Sequence, residues 1–110
     1  MGKMSRDKGK RGELEACRVL TDAGWPARRG VQHQGGPDSP DIVCPDLPFH
    51  FEVKRTEKFN VYDAMNQATS DSGQRSAVVL HRRNDRPWLV VMKFDDWAEM
   101  ARNQPTEARQ

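Results

Sequence analysis

The chain has 110 residues, 31% of them charged and 35% hydrophobic, and a formal net charge of +2. That length suits one domain, able to bury roughly 65% of its unfolded surface, and leaves no room for a second core. With no export signal and no long apolar run, the expectation is a cytoplasmic protein with no membrane partner. The charge is unevenly spread. Lys3, Arg6, Lys8, Lys10 and Arg11 crowd the start against Asp7, and Arg28-Arg29, Lys54-Arg55 and Arg82-Arg83 add basic pairs. Such a pattern suits a polyanionic partner better than the total does. Cys17 and Cys44 read as buried apolar residues in a reducing compartment, and no zinc-ligand spacing is present.

In chain order, residues 1–7 form a basic arm expected to be flexible until a partner orders it. A helix is predicted from Lys8 to Ala23, with Ser5 or Asp7 as its cap and Gly24 as its stop. Ala16, Cys17 and Leu20 share one face. Glu13 precedes them by three or four residues and so lies on the inward side, whereas Glu15 falls with Arg18 and Asp22 on the solvated side. An inward acid has two readings: a first-turn acid or lysine partner, or a carboxylate aimed at a cation. A short strand is predicted over Trp25–Arg29. A mobile Gly/Gln/Pro-rich loop follows over residues 30–40, whose Gln32, His33 and Gln34 can reach a phosphate backbone. Asp38 reads as a turn residue, and Asp41 as the better ligand because it leads directly into Ile42-Val43-Cys44.

A tight turn over residues 44–48 makes a hairpin into Phe49-His50-Phe51-Glu52-Val53-Lys54. Strict alternation puts the two phenylalanines and Val53 on one face and His50, Glu52 and Lys54 on the other. A second helix is predicted over Val61–Asp71, capped by Asn60 and ended by Ser72-Gly73, with Tyr62, Met65 and Thr69 or Ala68 in its apolar stripe and Gln67 undecided between solvent and the site. Ala77–His81 and Trp88–Lys93 read as buried strands. A last helix from Asp95 or Asp96 to Arg102 packs through Trp97 and Met100, and residues 103–110 form a flexible tail.

The chemistry lies in Asp41 and Glu52-Val53-Lys54. Alternate strand residues stand roughly 6–7 Å apart on one face, so a carboxylate and an ammonium are held side by side. By itself the pair reads as a solvated ion pair worth little. With Asp41 on the neighbouring strand, two acids can hold a hard divalent cation and the lysine can stand beside a scissile phosphate, as a metal-dependent phosphodiesterase requires.

The order helix, three strands, helix, two strands, carrying Lys8-Gly9, Glu13, Asp41 and Glu52-Val53-Lys54, resembles the PD-(D/E)XK nuclease superfamily over about residues 5–95. Within it the chain looks like the small Holliday-junction-resolvase-type and phage-encoded endonucleases. The resemblance implies an α/β, restriction-endonuclease-like αβββαβ core within residues 8–102, with a central mixed sheet flanked by helices. It implies that Glu13, Asp41, Glu52 and the Val53 carbonyl surround Mg²⁺, or Mn²⁺ in its place, and that Lys54 orients or activates the attacking water. Arg29 matches a basic DNA-contacting position, and Gln67 falls where many such nucleases carry an accessory glutamine. Resolvases of this type often have arginine after the first glutamate, where this chain has Leu14. Lys8, Lys10, Arg11, Arg28, Arg29, His33 and Arg55 are the expected DNA contacts. The implied function is a homodimeric endonuclease that hydrolyses DNA phosphodiesters at branched structures such as Holliday junctions, in the bacterial cytoplasm if phage-encoded. Two alternatives stand beside it: a general or structure-specific phage nuclease acting on ends, flaps or forks, and a non-catalytic nucleic-acid-binding module with a nuclease fold.

Overall fold

A central strand covered on both faces organises the molecule. The structure, a computed structural model, describes residues 3–31 and 40–105, with backbone only over residues 3–7. His33 and Asp38 lie outside the described residues. The elements are α1 (Lys3–Asp22), β1 (Arg28–Arg29), β2 (Ile42–Val43), β3 (Phe49–Arg55), α2 (Val61–Asp71), β4 (Ser76–Arg82), β5 (Leu89–Val91) and α3 (Phe94–Arg102). The five strands form one mixed sheet in the order β1-β2-β3-β4-β5. β3 and β4 run parallel, in register from Phe49 opposite Ser76 to Arg55 opposite Arg82, and the other neighbours are antiparallel. Among the described residues no helix is long and apolar enough to cross a membrane.

The sheet separates two apolar layers. On one face Ala16, Cys17 and Leu20 of α1 pack with Ile42, Cys44, Phe51, Val78 and Leu80. On the other, Ala64, Met65 and Ala68 of α2 pack with Ala77 and Val79. The alternation read in β3 therefore sorts its side chains as expected, β4 is buried as read, and Phe49 meets Phe51 edge-on at 5.9 Å. The polar side of β3 is nonetheless buried, because a parallel pair is joined by a helical crossover that covers it.

Local signals set several boundaries. Asn60 accepts a hydrogen bond from the Asp63 amide at 3.0 Å, so α2 starts where the cap was read. Gly24 takes a φ of +112°, and the Trp25 amide turns back to the Leu20 carbonyl at 2.9 Å, ending α1. Gly12 brings α1 against β3: a Cβ there would stand 2.7 Å from Cβ of Arg55.

Other expectations are corrected. α1 begins at Lys3 rather than Lys8, since nothing between these residues breaks a helix. The first strand is Arg28–Arg29 alone, because Pro26 cannot donate to a ladder and the Ala27 amide goes to the Thr21 hydroxyl. Tyr62 is exposed, and the buried stripe of α2 is Ala64, Met65 and Ala68. β5 is an open edge, with Val90 65% exposed, and α3 buries no residue; Trp97 remains 49% exposed. Both elements have an apolar side that no described residue fully covers.

Candidate functional site

The site is built where β2 meets β3. Asp41 stands at the head of β2; its amide donates to the Phe51 carbonyl at 3.1 Å, and its Oδ2 accepts the Val53 amide at 2.8 Å. The carboxylate thus continues the ladder past the end of a two-residue strand, which holds it beside Glu52. Gly30 makes this approach possible. Its amide donates to the Asp41 carbonyl at 2.9 Å, and it lies so close to Pro40 that only hydrogen fits on its Cα.

Glu52 is 9% exposed, and its Oε2 has no hydrogen-bond partner among the described residues. Burial, reinforced by the charges of Asp41 and Asp71, pushes its carboxyl up from 4.5 to about 7, while the Asp41 amide and Lys54 draw it part of the way back. Glu13 is the third acid. Burial pushes it up, the hydrogen bond from Arg29 draws it down, and Asp41 pushes it up again. The three acids therefore feel one another in sequence, Glu13 with Asp41 and Asp41 with Glu52. Their side chains do not converge as they stand: Glu13 Oε1 is held by Arg29 Nε at 2.8 Å. Among the described residues no three His, Cys, Asp or Glu side chains form a ready metal-binding group.

Lys54 is half-buried at the end of the polar side of β3. Two shallow cavities meet at it. One, of about 280 Å³, is lined by Lys8, Glu13, Val53, Lys54 and Thr56. The other, of about 270 Å³, is lined by Lys54, Thr56, Lys58, Asp63 and Gln67. Gln67, which periodicity left undecided, thus shares a cavity with Lys54 while remaining exposed.

The basic residues divide. Lys8, Lys10, Arg11 and Arg28 are exposed. Arg29 is engaged by Glu13, and Arg55 by Glu15 at 3.2 Å and by Asn84 at 3.0 Å. Glu15 also binds Arg82, so the acid expected on the solvated side is half-buried and braces α1 to β3 and β4. Burial raises its carboxyl, and the Arg82 and Arg55 hydrogen bonds more than offset this, leaving it below its ordinary value. His50 carries no role in the sequence reading. It is wholly buried with Nε2 3.3 Å from Glu52 Oε2. The spacing of two on one strand face was the available signal; its burial was not visible.

No protein-family model matches the chain, and no curated protein matches it. Among solved structures it is similar to Hjc, a Holliday junction resolvase from the archaeal hyperthermophile Archaeoglobus fulgidus. The sequences are 23% identical, the TM-score is 0.56, and the match covers 76% of this chain and 75% of that one. At this identity the likeness shows the fold: the chain has the α/β, restriction-endonuclease-like architecture of that resolvase, a five-stranded mixed sheet flanked by helices.

Proposed function

We propose that the chain is a Mg²⁺-dependent endonuclease, with Mn²⁺ able to substitute, that cuts the DNA backbone at branched structures such as four-way junctions. The observation that carries this reading is the buried Glu52 carboxylate, pushed to about 7 by burial and by Asp41, with the half-buried Lys54 two residues on along the same strand face. A buried carboxylate beside a second acid, in an all-oxygen donor set, fits a small hard cation. Asp41 and Glu52 would hold it, with Glu13 and the Val53 carbonyl completing the set. When bound, the cation would polarise the scissile phosphate and make a nearby water more acidic.

The protein's own groups do the rest. The Val53 amide fixes Asp41 before any ligand arrives. Lys54 supplies positive charge where the pentavalent phosphate gathers negative charge, and orients the attacking water. Lys8, Lys10, Arg11 and Arg28 are exposed and contact phosphates, giving salt-sensitive binding with little base reading. Arg29 and Arg55 join them if DNA displaces their acidic partners. Gln67 touches the substrate from the other side of Lys54, a role supported by the cavity the two share.

Cleavage of a four-way junction, a fork, a flap and linear duplex at one salt concentration tests this reading. The junction is expected to be cut fastest, with no cutting by Asp41→Ala. Lys54→Ala should bind the junction nearly as the parent does and cut it at least about 100-fold more slowly. Equal rates on all four substrates would leave a general nuclease. No cutting of any, with binding retained, would leave a DNA-binding module.

A symmetric junction needs two cuts, which a two-fold dimer supplies. The open edge of β5 and the exposed Phe94 and Trp97 of α3 support a dimer through this face, since uncovered strand edges and apolar patches associate. Val90→Lys combined with Trp97→Glu is expected to sediment as a monomer, while the parent sediments as a dimer. Equal sedimentation of the two would place the interface elsewhere.

A further inference from the structure

His50 is fully buried on the polar face of β3 and has no part in the chemistry proposed for Asp41, Glu52 and Lys54. It stands two residues before Glu52, with Ala77 of β4 beside it and α2 over it. Neither ring nitrogen has a hydrogen-bond partner among the described residues, and neither has Oε2 of Glu52. These two orphans lie against each other, Nε2 3.3 Å from Oε2, at a distance that a small rotation turns into a hydrogen bond. Two buried polar groups without partners are destabilising in a core that could have held a leucine. A pair facing each other across one contact has a use when the carboxylate has a second job on its other side. Ligating carboxylates are commonly held from behind by such a donor.

We infer that His50 is a positioning residue for Glu52: its neutral ring donates Nε2–H to the carboxylate and turns the remaining oxygen toward Asp41 and the cation. This rests on the proposed metal-dependent reading. The ring never touches the substrate. Its effect is to remove the rotational freedom of a long side chain whose oxygen must otherwise be ordered each time the cation binds. The charged groups that act on the pair are Asp41, Asp71 and Lys54 on Glu52, and Asp71 and Arg75 on His50.

The test is Mn²⁺ binding by titration calorimetry on the whole chain without DNA, for the parent, His50→Leu, His50→Gln and Asp41→Ala. His50→Leu fills the space without a donor and is expected to bind Mn²⁺ about 10- to 100-fold more weakly. His50→Gln keeps an N–H donor and should recover most of that loss. Parent-like affinity in His50→Leu would overturn the inference, and so would equal losses in the two variants, which would mean that His50 only fills space. A parent that binds no Mn²⁺ would instead remove the metal reading itself, and Asp41→Ala separates that outcome by behaving like the parent. Nitrogen-15 spectra of the unaltered protein give a readout independent of whether the variants fold. They are expected to show His50 protonated at Nε2 and bare at Nδ1, with the Nε2 resonance moving on addition of Mg²⁺. A ring protonated only at Nδ1 would overturn the assignment.

Discussion

Glu52→Gln is expected to stabilise the cation-free protein at pH 8 and to abolish cleavage. The sign follows from where the carboxyl titrates. In the unfolded chain it ionises at 4.5, and in the folded protein at about 7. Below 4.5 both states hold the proton and the group is neutral to stability. Between these values the unfolded chain gives up its proton while the folded protein keeps it, so stability falls as pH rises, and above about 7 the whole penalty is present. At about 1.4 kcal/mol per unit the penalty is about 3 kcal/mol. For a domain of this size that corresponds to roughly 10 °C or more in melting temperature.

The glutamine amide carries no charge to desolvate, so the variant's advantage should be absent at pH 4 and full at pH 8. Glu15, held below its ordinary value by Arg82 and Arg55, contributes with the opposite sign in both proteins and cancels in the difference. Thermal melts of both proteins from pH 4 to 8.5 measure it. Curves that stay parallel would show that Glu52 is not buried as a charged group. Mg²⁺ should raise the parent's melting temperature at pH 8, where the ligand is already ionised, more than at pH 5.5, and should raise that of the variant little at either.

Gly30→Ala is expected to cost more than about 3 kcal/mol of stability and to remove cleavage from whatever fraction still folds. The added Cβ would stand 2.0 Å from the Pro40 carbonyl oxygen and 3.1 Å from its carbon. Those atoms are backbone, so no rotamer change relieves the clash; the β1–β2 pairing must open instead. The Gly30 amide bond to the Asp41 carbonyl goes with it, and Asp41 loses its place against the Val53 amide. Gly9→Ala is the comparison. Gly9 lies within α1 with nothing within 4 Å of the added Cβ, so alanine should stabilise by up to about 1 kcal/mol through helix propensity. Denaturant unfolding of both variants checks the contrast, and a Gly30→Ala protein as stable as the parent would mean that the two segments are farther apart.

The site was half legible beforehand for a specific reason. Asn60 and Ser72-Gly73 bound α2, and the alternation of Phe49 to Lys54 makes β3, because caps, turns and period-two patterns are interactions between near neighbours in the chain. Glu52 and Lys54 on one strand face belong to the same class of inference. Glu15 could not be assigned that way: its partner Arg82 is 67 residues distant, and helical periodicity reports which residues share a side without reporting what lies opposite. Tyr62 and Trp97 stay exposed for the same reason, since an apolar stripe is buried only if another element arrives to cover it.

Element order and the apolar face of β3 are written in the residue pattern. The folded arrangement was needed to put the polar face of β3 under α2, to turn Glu13 to Arg29, and to bring His50 against Glu52. Local patterning arises from backbone geometry within a few residues. Burial, and with it the ionisation of a carboxylate, depends on which distant surfaces the chain finally brings together.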